Sequence, residues 1–493
     1  MLFNSYVFLF LFLPLALTPF ILLSDRLGRH WLEWWIIGCS LIFYSWFDIT
    51  NTAIISLSVL FNYLVARAIH AHHTHKPIER GSKYYFTFGV IINLAVLCYY
   101  KYTNFFLRDI LSPFGIHVEV HDIALPLGIS FFTFQQIIFL KDLMSKDVTL
   151  FSFRKYLFCV TFFPHLIAGP IIKYKHILKQ LYSRAFFTYS PVYLATGFTW
   201  LALGLFKKVI IADNLAPYAN QAFQAVAGGH VISLMNSWTG CLAYTFQIYF
   251  DFSGYSDMAI GLGLLFKIEL PVNFNSPYKA TSIVDFWRRW HITLSWFLRE
   301  CIYIPLGGNR KGRFYQYMNL LITMLLAGLW HGAGWTFVVW GGVHGLLLIA
   351  THALEPKQKT TNPYALAFAR LFTFALVCLA WVPFRAIDLD AMTTFYKSMF
   401  AVSGNVALGV FDPRAALSII ACFLVAWFFP NTQQIMCKFK PCIENYLSGH
   451  TTWAVPSIFV WKPTFIYAIL TGLVFCYVVS SLGNNAEFLY FQF

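Results

Sequence analysis

His331 is the side chain in this sequence best suited to transfer a proton. It lies in GLWHGAGWT, residues 328 to 336, between two apolar runs, and small residues on both sides leave room beside its ring. An ionisable group in such a segment is costly in a membrane and by default indicates a functional site. With an ordinary pKa of about 6.5, its imidazole could act as a general base. The alternative is a neutral histidine that bridges two helices.

A second histidine, His291, follows two arginines in IVDFWRRWHITLSWFLRE, residues 283 to 300. Apolar residues recur there at helical spacing, which predicts one amphipathic helix lying in the cytoplasmic interface with His291 at the edge of its apolar face. His291 could take part in catalysis, or it could only face lipid headgroups or form a structural hydrogen bond. Arg288 and Arg289 could bind the phosphates of a donor molecule, or they could contact anionic lipids.

Two carboxylates, Asp251 and Asp257, lie inside the apolar stretch 232 to 265. This stretch is too long for one membrane span and too short for a pair, so we expect irregular backbone around a cavity that the two carboxylates line. The alternatives are helix capping or an ion pair with a loop arginine. Residues 151 to 172 are broken by Pro164 and by a Gly-Pro pair, which predicts a re-entrant segment. Both stretches indicate a central funnel.

The sequence lacks the motifs that several other kinds of chemistry require. The four histidines between residues 70 and 75 do not have the spacing of a zinc site, and no metal site is predicted. The sequence has no G-x-S-x-G elbow, no P-loop and no G-x-G-x-x-G motif. The net charge of +14 is carried by short loops between apolar runs, so it reflects membrane orientation rather than nucleic-acid binding.

The composition places the chain in a lipid bilayer. Hydrophobic residues make up 58% and charged residues 11%, whereas a soluble protein has about 25% charged residues. We predict one all-α, polytopic membrane domain over residues 1–493. About twelve transmembrane helices are expected, and they begin near residues 5, 31, 52, 84, 123, 191, 232, 316, 336, 364, 414 and 464. The basic loops are predicted to be cytoplasmic, which leaves both termini outside.

The chain ends in an aromatic tail, EFLYFQF, residues 487–493. Such an apolar run gains by burial at roughly 25 cal/mol per Å², so the tail is expected to dock into the outer mouth of the funnel. An aromatic anchor at the membrane interface is the alternative. Tyr490 carries the only side-chain hydroxyl of the tail.

Seven motifs resemble, in order, those of the membrane-bound O-acyltransferase (MBOAT) family, in its bacterial branch that serves alginate O-acetylation. They are LPLGISFFTFQQ (125–136), FFPHLIAGPI (162–171), FQIYFDFSGYSDMAIGLG (246–263), NFNSPY (273–278), DFWRRWHITLSWFLRE (285–300), YIPLGGNRKG (303–312) and GLWHGAGW (328–335). The resemblance implies the MBOAT fold, with re-entrant and interfacial helices around the funnel. It maps the catalytic histidine to His331 and a second signature position to His291. His165 stands where the alginate proteins are expected to have glutamine.

The resemblance also implies the reaction. An acyl group, expected to be acetyl, moves from a cytoplasmic thioester (acetyl-CoA or an acyl-carrier arm) across a bacterial inner membrane, with both termini periplasmic. A periplasmic acetyltransferase partner then O-acetylates an envelope or exopolysaccharide. Alginate is the acceptor that the resemblance favours. Peptidoglycan, cellulose and D-alanylated teichoic acid are alternative acceptors, and a non-enzymatic polysaccharide export channel is the alternative class. In a related D-alanylation system a tyrosine-containing C-terminal peptide is thought to relay the acyl group, so Tyr490 is expected to be acylated transiently, with no bound cofactor.

Overall fold

The computed structural model is helical along the residues that it describes. These are 1–493 except 25, 27, 74–79, 116–122, 184–185, 187–189, 355–360, 402–411, 440–454, 485–488 and 490–493. The described α-helices are α1 (Leu13–Leu23), α2 (Arg29–Ser45), α3 (Ile49–His73), α4 (Arg80–Phe105), α5 (Ile129–Met144), α6 (Phe153–Thr161), α7 (Phe163–Leu166), α8 (Tyr174–Tyr182), α9 (Pro191–Leu205), α10 (Asp213–Ala227), α11 (Leu234–Leu265), α12 (Ile283–Trp287), α13 (Ile292–Leu298), α14 (Arg313–His331), α15 (Trp335–Leu354), α16 (Pro363–Arg385), α17 (Leu389–Met399), α18 (Pro413–Phe428), α19 (Thr432–Ile435) and α20 (Phe465–Ser480). Wider π-helical turns occur at Val7–Phe12, Phe106–Leu111, Phe206–Ala212 and Arg299–Tyr303.

Helices long and apolar enough to cross a membrane lie between residues 49 and 385. Among the described residues five meet both criteria: Ile49–His72, Gly81–Phe114, Pro191–Ala227, Trp335–Leu354 and Pro363–Arg385. Shorter apolar helices lie at Val7–Leu23, Pro413–Phe428 and Phe465–Ser480. Each predicted apolar run contains a helix, so the prediction of an all-helical, multi-pass membrane protein is confirmed, while the number of twelve spans stays a prediction.

The stretch 232 to 265 is a single helix, so the expectation of irregular backbone there was wrong. α11 runs unbroken for 32 residues and packs against α9 and α10. Close approach of α9 and α11 makes the unbroken helix possible. A Cβ at Gly204 would lie 2.7 Å from the carbonyl oxygen of Gly254, and a Cβ at Gly254 would lie 2.8 Å from that of Gly204. Lys207 and Lys208, in the π-helical turn after α9, form ion pairs with the two carboxylates, so no break in the backbone is needed.

The break predicted within residues 151 to 172 is present. α6 and α7 are separated at Phe162, whose ψ of 106° is not helical. α6 has nine residues and is therefore about 14 Å long, which is too short for a hydrocarbon core of about 30 Å. Whether this segment enters and leaves on one side of the membrane stays a prediction.

Candidate active site

His331 is the last residue of α14, at the tight connection between α14 and α15. Glycines let the two helices meet closely there. A Cβ at Gly328 would lie 2.2 Å from the carbonyl oxygen of Phe337, and one at Gly332 would lie 2.1 Å from the Phe337 ring. The glycines in the GLWHGAGW motif therefore fix the hairpin that carries His331, and they do more than leave room for a substrate.

Three aromatic rings hold the imidazole of His331 in place. Its centroid lies 4.8 Å from the ring of Trp330, 5.0 Å from that of Trp340 and 5.1 Å from that of Phe384, each in an edge-to-face arrangement. Only 4% of the residue is exposed. Such packing restricts the ring to a narrow range of orientations, as catalysis by a positioned base requires.

The end of α14 is capped by two neighbouring side chains of α4. The Tyr102 hydroxyl donates to the carbonyl oxygen of Leu329 at 2.8 Å. The Lys101 ammonium donates to the carbonyl oxygen of His331 at 3.1 Å and also to that of Trp330. The last carbonyls of a helix have no partner within it and carry a partial negative charge, so a cation is favourable here.

A cavity of about 90 Å³ opens beside His331. Its lining comes from four parts of the fold: Lys101 of α4, the turn and first residues of α5, Ile167 after α7, and the end of α14. The lining residues are Lys101, Leu125, Pro126, Leu127, Gly128, Ile129, Ser130, Phe131, Ile167, Trp330 and His331. An engineered cavity of about 150 Å³ holds benzene, so this cavity suits a group of only a few heavy atoms.

His291 does not lie on an interfacial helix, and that prediction was wrong. The segment is broken into α12 and α13 at His291, whose φ of 42° and ψ of 56° are left-handed. The residue is fully buried, and so are most of the apolar side chains around it. The chain folds inward here because Asn273, from the preceding loop, forms hydrogen bonds with the broken turn.

Asn273 also determines which nitrogen of His291 carries the proton. Its Oδ1 accepts from the Thr293 amide at 3.2 Å and from the Thr293 hydroxyl at 3.0 Å, and it lies 3.2 Å from His291 Nδ1. An oxygen with these donors is an acceptor, so Nδ1 of His291 is protonated and Nε2 has the lone pair. Burial lowers the pKa of His291 to about 3, which keeps the ring neutral.

The rings of His291 and His331 both lie near the indole of Trp330. The indole of Trp330 is 4.8 Å from the His331 ring and 6.3 Å from the His291 ring, measured between centroids. The fold therefore brings both histidines close to one indole ring, a proximity that the sequence did not predict. The catalytic roles of the two side chains stay predictions.

The two arginines before His291 differ in their surroundings. Arg289 is 9% exposed, its Nε donates to Asp285 at 2.9 Å, and its guanidinium also reaches the carbonyl oxygen of Asn275. These contacts give Arg289 a structural function within the turn. Arg288 is exposed, so it is the better placed of the two to bind a donor molecule.

Asp251 and Asp257 form ion pairs with lysines rather than with a loop arginine. Lys208 lies 2.7 Å from Asp251, and Lys207 lies 2.6 Å from Asp257. The Thr432 hydroxyl also donates to Asp257 at 2.6 Å. Neither carboxylate is among the residues that line the cavity at His331.

The C-terminal tail reaches the interior at Leu489. This residue is 4% exposed, and its amide donates to the Asp251 carboxylate at 3.1 Å. At Leu489 the tail is therefore buried in the protein, while its docking into the outer mouth of a funnel stays a prediction. Tyr490, the predicted relay residue, lies outside the described residues.

Two polar residues at the site were not singled out from the sequence. Lys101 lies within the apolar run YYKYTNFF and His344 within FVVWGGVHGLLL. The Trp287 indole donates to Nδ1 of His344 at 3.3 Å, and the His344 ring packs 4.8 Å from Trp340. The signal that marked His331, an ionisable group inside an apolar segment, could have found both.

These features define a multi-pass membrane protein with a buried histidine at a small cavity. A family model described as "MBOAT, membrane-bound O-acyltransferase family" matches residues 36–385. The match includes all seven of the motifs and both histidines. The chain belongs to this family, and the prediction of a membrane O-acyltransferase is confirmed.

Relatives of this chain are named for different acceptors. It is 36% identical to the "Peptidoglycan O-acetyltransferase" of Helicobacter pylori, with 100% of this chain and 98% of that protein covered. It is 42% identical to the "Probable alginate O-acetylase AlgI" of Azotobacter vinelandii, with 81% and 78% covered. It is 25% identical to the "Teichoic acid D-alanyltransferase" of Bacillus subtilis, with 54% and 70% covered.

We expect His291→Asn to reduce acyl transfer about 10²-fold, the contribution typical of one acid or base group. Asparagine is tolerated at positive φ, so the broken turn between α12 and α13 should persist. The measurement is transfer of labelled acetyl by purified protein, with thermal unfolding as the control. Wild-type transfer by this variant would show that His291 serves packing alone.

Proposed function

We propose that this acyltransferase moves acetyl groups from a cytoplasmic thioester across the membrane for O-acetylation of an envelope or exopolysaccharide, with alginate as the first candidate. The observation that carries the proposal is the buried His331 imidazole on the wall of a cavity of about 90 Å³. A cavity of this size fits acetyl, which has three heavy atoms.

In the proposed step, His331 removes the proton from the accepting hydroxyl. The hydroxyl oxygen forms a bond to the thioester carbonyl carbon, and the carbonyl π electrons move onto its oxygen. When that electron pair returns, the carbon–sulfur bond breaks and the thiolate leaves. The imidazolium returns its proton to the sulfur, so the base is restored and the products are an ester and a thiol.

The donor, the partner and the location complete the proposal. The donor is acetyl-CoA or an acyl-carrier thioester, which Arg288 at the surface would help to bind. The enzyme lies in a bacterial inner membrane with both termini in the periplasm, and it passes the acetyl group to a periplasmic acetyltransferase. Acylation of the Tyr490 hydroxyl is the proposed link between the two proteins, and docking of the tail at Leu489 supports it.

Deletion of the gene tests the acceptor. We expect the exopolysaccharide to lose its O-acetyl esters, and complementation with wild-type protein, but not with His331→Ala, should restore them. The measurement is acetate released from each purified polymer by mild alkali. Normal ester content in all envelope polymers of the deletion strain would contradict the proposal.

Peptidoglycan is the second candidate acceptor. The relative named for it matches this chain along its full length, whereas the match to the alginate relative covers 81% of the chain. The residue at 165 is also a histidine, where the alginate proteins are expected to have glutamine. In the same deletion strain, loss of esters from peptidoglycan with intact exopolysaccharide would favour this acceptor.

A further inference from the structure

We propose that Lys101 is a second catalytic residue, whose ammonium stabilises the negative oxygen that forms on the acetyl carbonyl. The inference rests on the proposed acetyl transfer and adds to it the group that stabilises the negative oxygen while His331 holds the proton. Three observations support it: the place of Lys101 in the cavity, its hydrogen bonds, and the first turn of α5 in the lining of the same cavity.

Lys101 has a donor left for a ligand. An ammonium group has three N–H donors. Among the described residues, Lys101 donates to two acceptors, the carbonyl oxygens of Trp330 and His331, and its nitrogen lies 5.9 Å from the centroid of the Trp330 ring. These acceptors belong to the negative end of α14, so they favour the charged form of the lysine. Lys101 also lines the cavity together with His331. Its third hydrogen can therefore reach a group bound there.

The first turn of α5 lies on the same cavity. Gly128, Ile129, Ser130 and Phe131 are all part of the lining, and α5 continues for 16 residues. The amides of Ile129 and Phe131 already donate to the carbonyl oxygens of Pro126 and Gly128, so this turn contributes the positive end of the helix dipole rather than free donors. The Ser130 side chain adds a hydroxyl to the wall. Positive potential thus comes from two elements, α4 and α5, while the base comes from α14.

This arrangement matches the charge that the reaction creates. When the hydroxyl oxygen bonds to the carbonyl carbon, one electron pair moves onto the carbonyl oxygen, and His331 takes up the hydroxyl proton. Fixed positive groups around that oxygen lower the barrier, since they need no reorganisation during the step. The electron pair then returns to the carbonyl as the thiolate leaves, and Lys101 keeps its proton throughout.

A purely structural function would be to cap α14, and Tyr102 provides the matched control. Its hydroxyl caps the same helix end at Leu329 without a charge, and it is not among the lining residues of the cavity. If Lys101 only caps α14, loss of the Lys101 side chain and loss of the Tyr102 hydroxyl should have the same kind of effect, a lower stability of the protein. If charge in the cavity matters, only loss of Lys101 should slow the chemical step.

The test compares Lys101→Met, Lys101→Gln, Lys101→Arg and Tyr102→Phe with wild type. The assay follows transfer of radiolabelled acetyl from acetyl-CoA by purified protein, and thermal unfolding is measured on the same samples. We expect Lys101→Met to lower kcat about 10²- to 10³-fold, the usual loss for one oxyanion donor, with little change in KM. Lys101→Gln keeps amide donors without the charge, so it should be nearly as slow. Lys101→Arg should recover part of the rate, and Tyr102→Phe should keep the wild-type kcat.

Two results would overturn the inference. One is a kcat for Lys101→Met or Lys101→Gln equal to that of Tyr102→Phe, which would leave Lys101 as a cap only. The other is a slow Lys101→Arg variant together with a wild-type rate for Lys101→Gln, which would show that the charge is irrelevant. If wild-type protein transfers no acetyl from any thioester, the proposed function itself fails, and that outcome is distinct from both.

Discussion

His331→Ala is expected to lower acyl transfer by about 10²- to 10⁴-fold, the range that a positioned general base contributes. No carboxylate and no other histidine is among the described residues that line the cavity with it, so the variant keeps no carboxylate or imidazole at that wall to take over as the base. The measurement is the rate of labelled acetyl transfer from a thioester by purified protein at saturating donor.

The alanine variant alone cannot separate catalysis from packing, because His331 is enclosed by the rings of Trp330, Trp340 and Phe384. His331→Phe is the matched variant. It keeps an aromatic ring between those neighbours and removes both nitrogens, so we expect wild-type thermal stability with the same loss of transfer. An active His331→Phe enzyme would show that the histidine has only a structural function.

Much of the fold could be predicted from the sequence, because membrane spans depend on local composition. Each predicted apolar run contains a helix, and the break at residues 151 to 172 was visible as Pro164 and Gly169-Pro170. The prediction of irregular backbone in α11 was wrong because it relied on the two carboxylates in that apolar stretch. A carboxylate at membrane depth can be satisfied by a lysine from another helix, and Lys207 and Lys208 lie more than forty residues away in sequence.

The candidate site was also only partly predictable, because contacts between residues far apart in the sequence determine it. Glycines and an ionisable group inside an apolar segment marked His331, and family motifs marked His291. The periodicity of residues 283 to 300 is that of a helix, but Asn273 breaks the segment at His291 through tertiary hydrogen bonds. Lys101 contacts the end of α14 from 230 residues away. Local patterns contain no information about such pairings.

The largest effect on stability is expected from Lys208→Met. The Lys208 ammonium lies 2.7 Å from Asp213 and 2.7 Å from Asp251, and all three side chains are less than a tenth exposed. Removal of one partner leaves buried carboxylates without their counter-ion, a change that typically costs about 3–5 kcal/mol. The measurement is unfolding of the purified protein in detergent micelles, by heat and by denaturant.

Lys207→Met is the matched control, since it removes a neighbouring lysine of the same turn. Asp257 loses that ion pair but keeps the hydrogen bond from the Thr432 hydroxyl, and Lys207 is 16% exposed on its side chain. We expect a smaller loss than for Lys208→Met. Equal losses of stability in the two variants would show that burial of the cluster around Lys208 does not determine the cost of removing the lysine.

The double variant Lys208→Met with Asp251→Asn tests the electrostatic origin of the effect. A neutral amide at 251 removes one buried charge, and its side-chain oxygen can still accept the Leu489 amide, which donates to Asp251 at 3.1 Å in the wild-type protein. The double variant should therefore be more stable than Lys208→Met alone, with an interaction energy between the two substitutions of about 0.5–3 kcal/mol. Strictly additive losses would mean that Lys208 stabilises the helices through its aliphatic chain rather than through its charge.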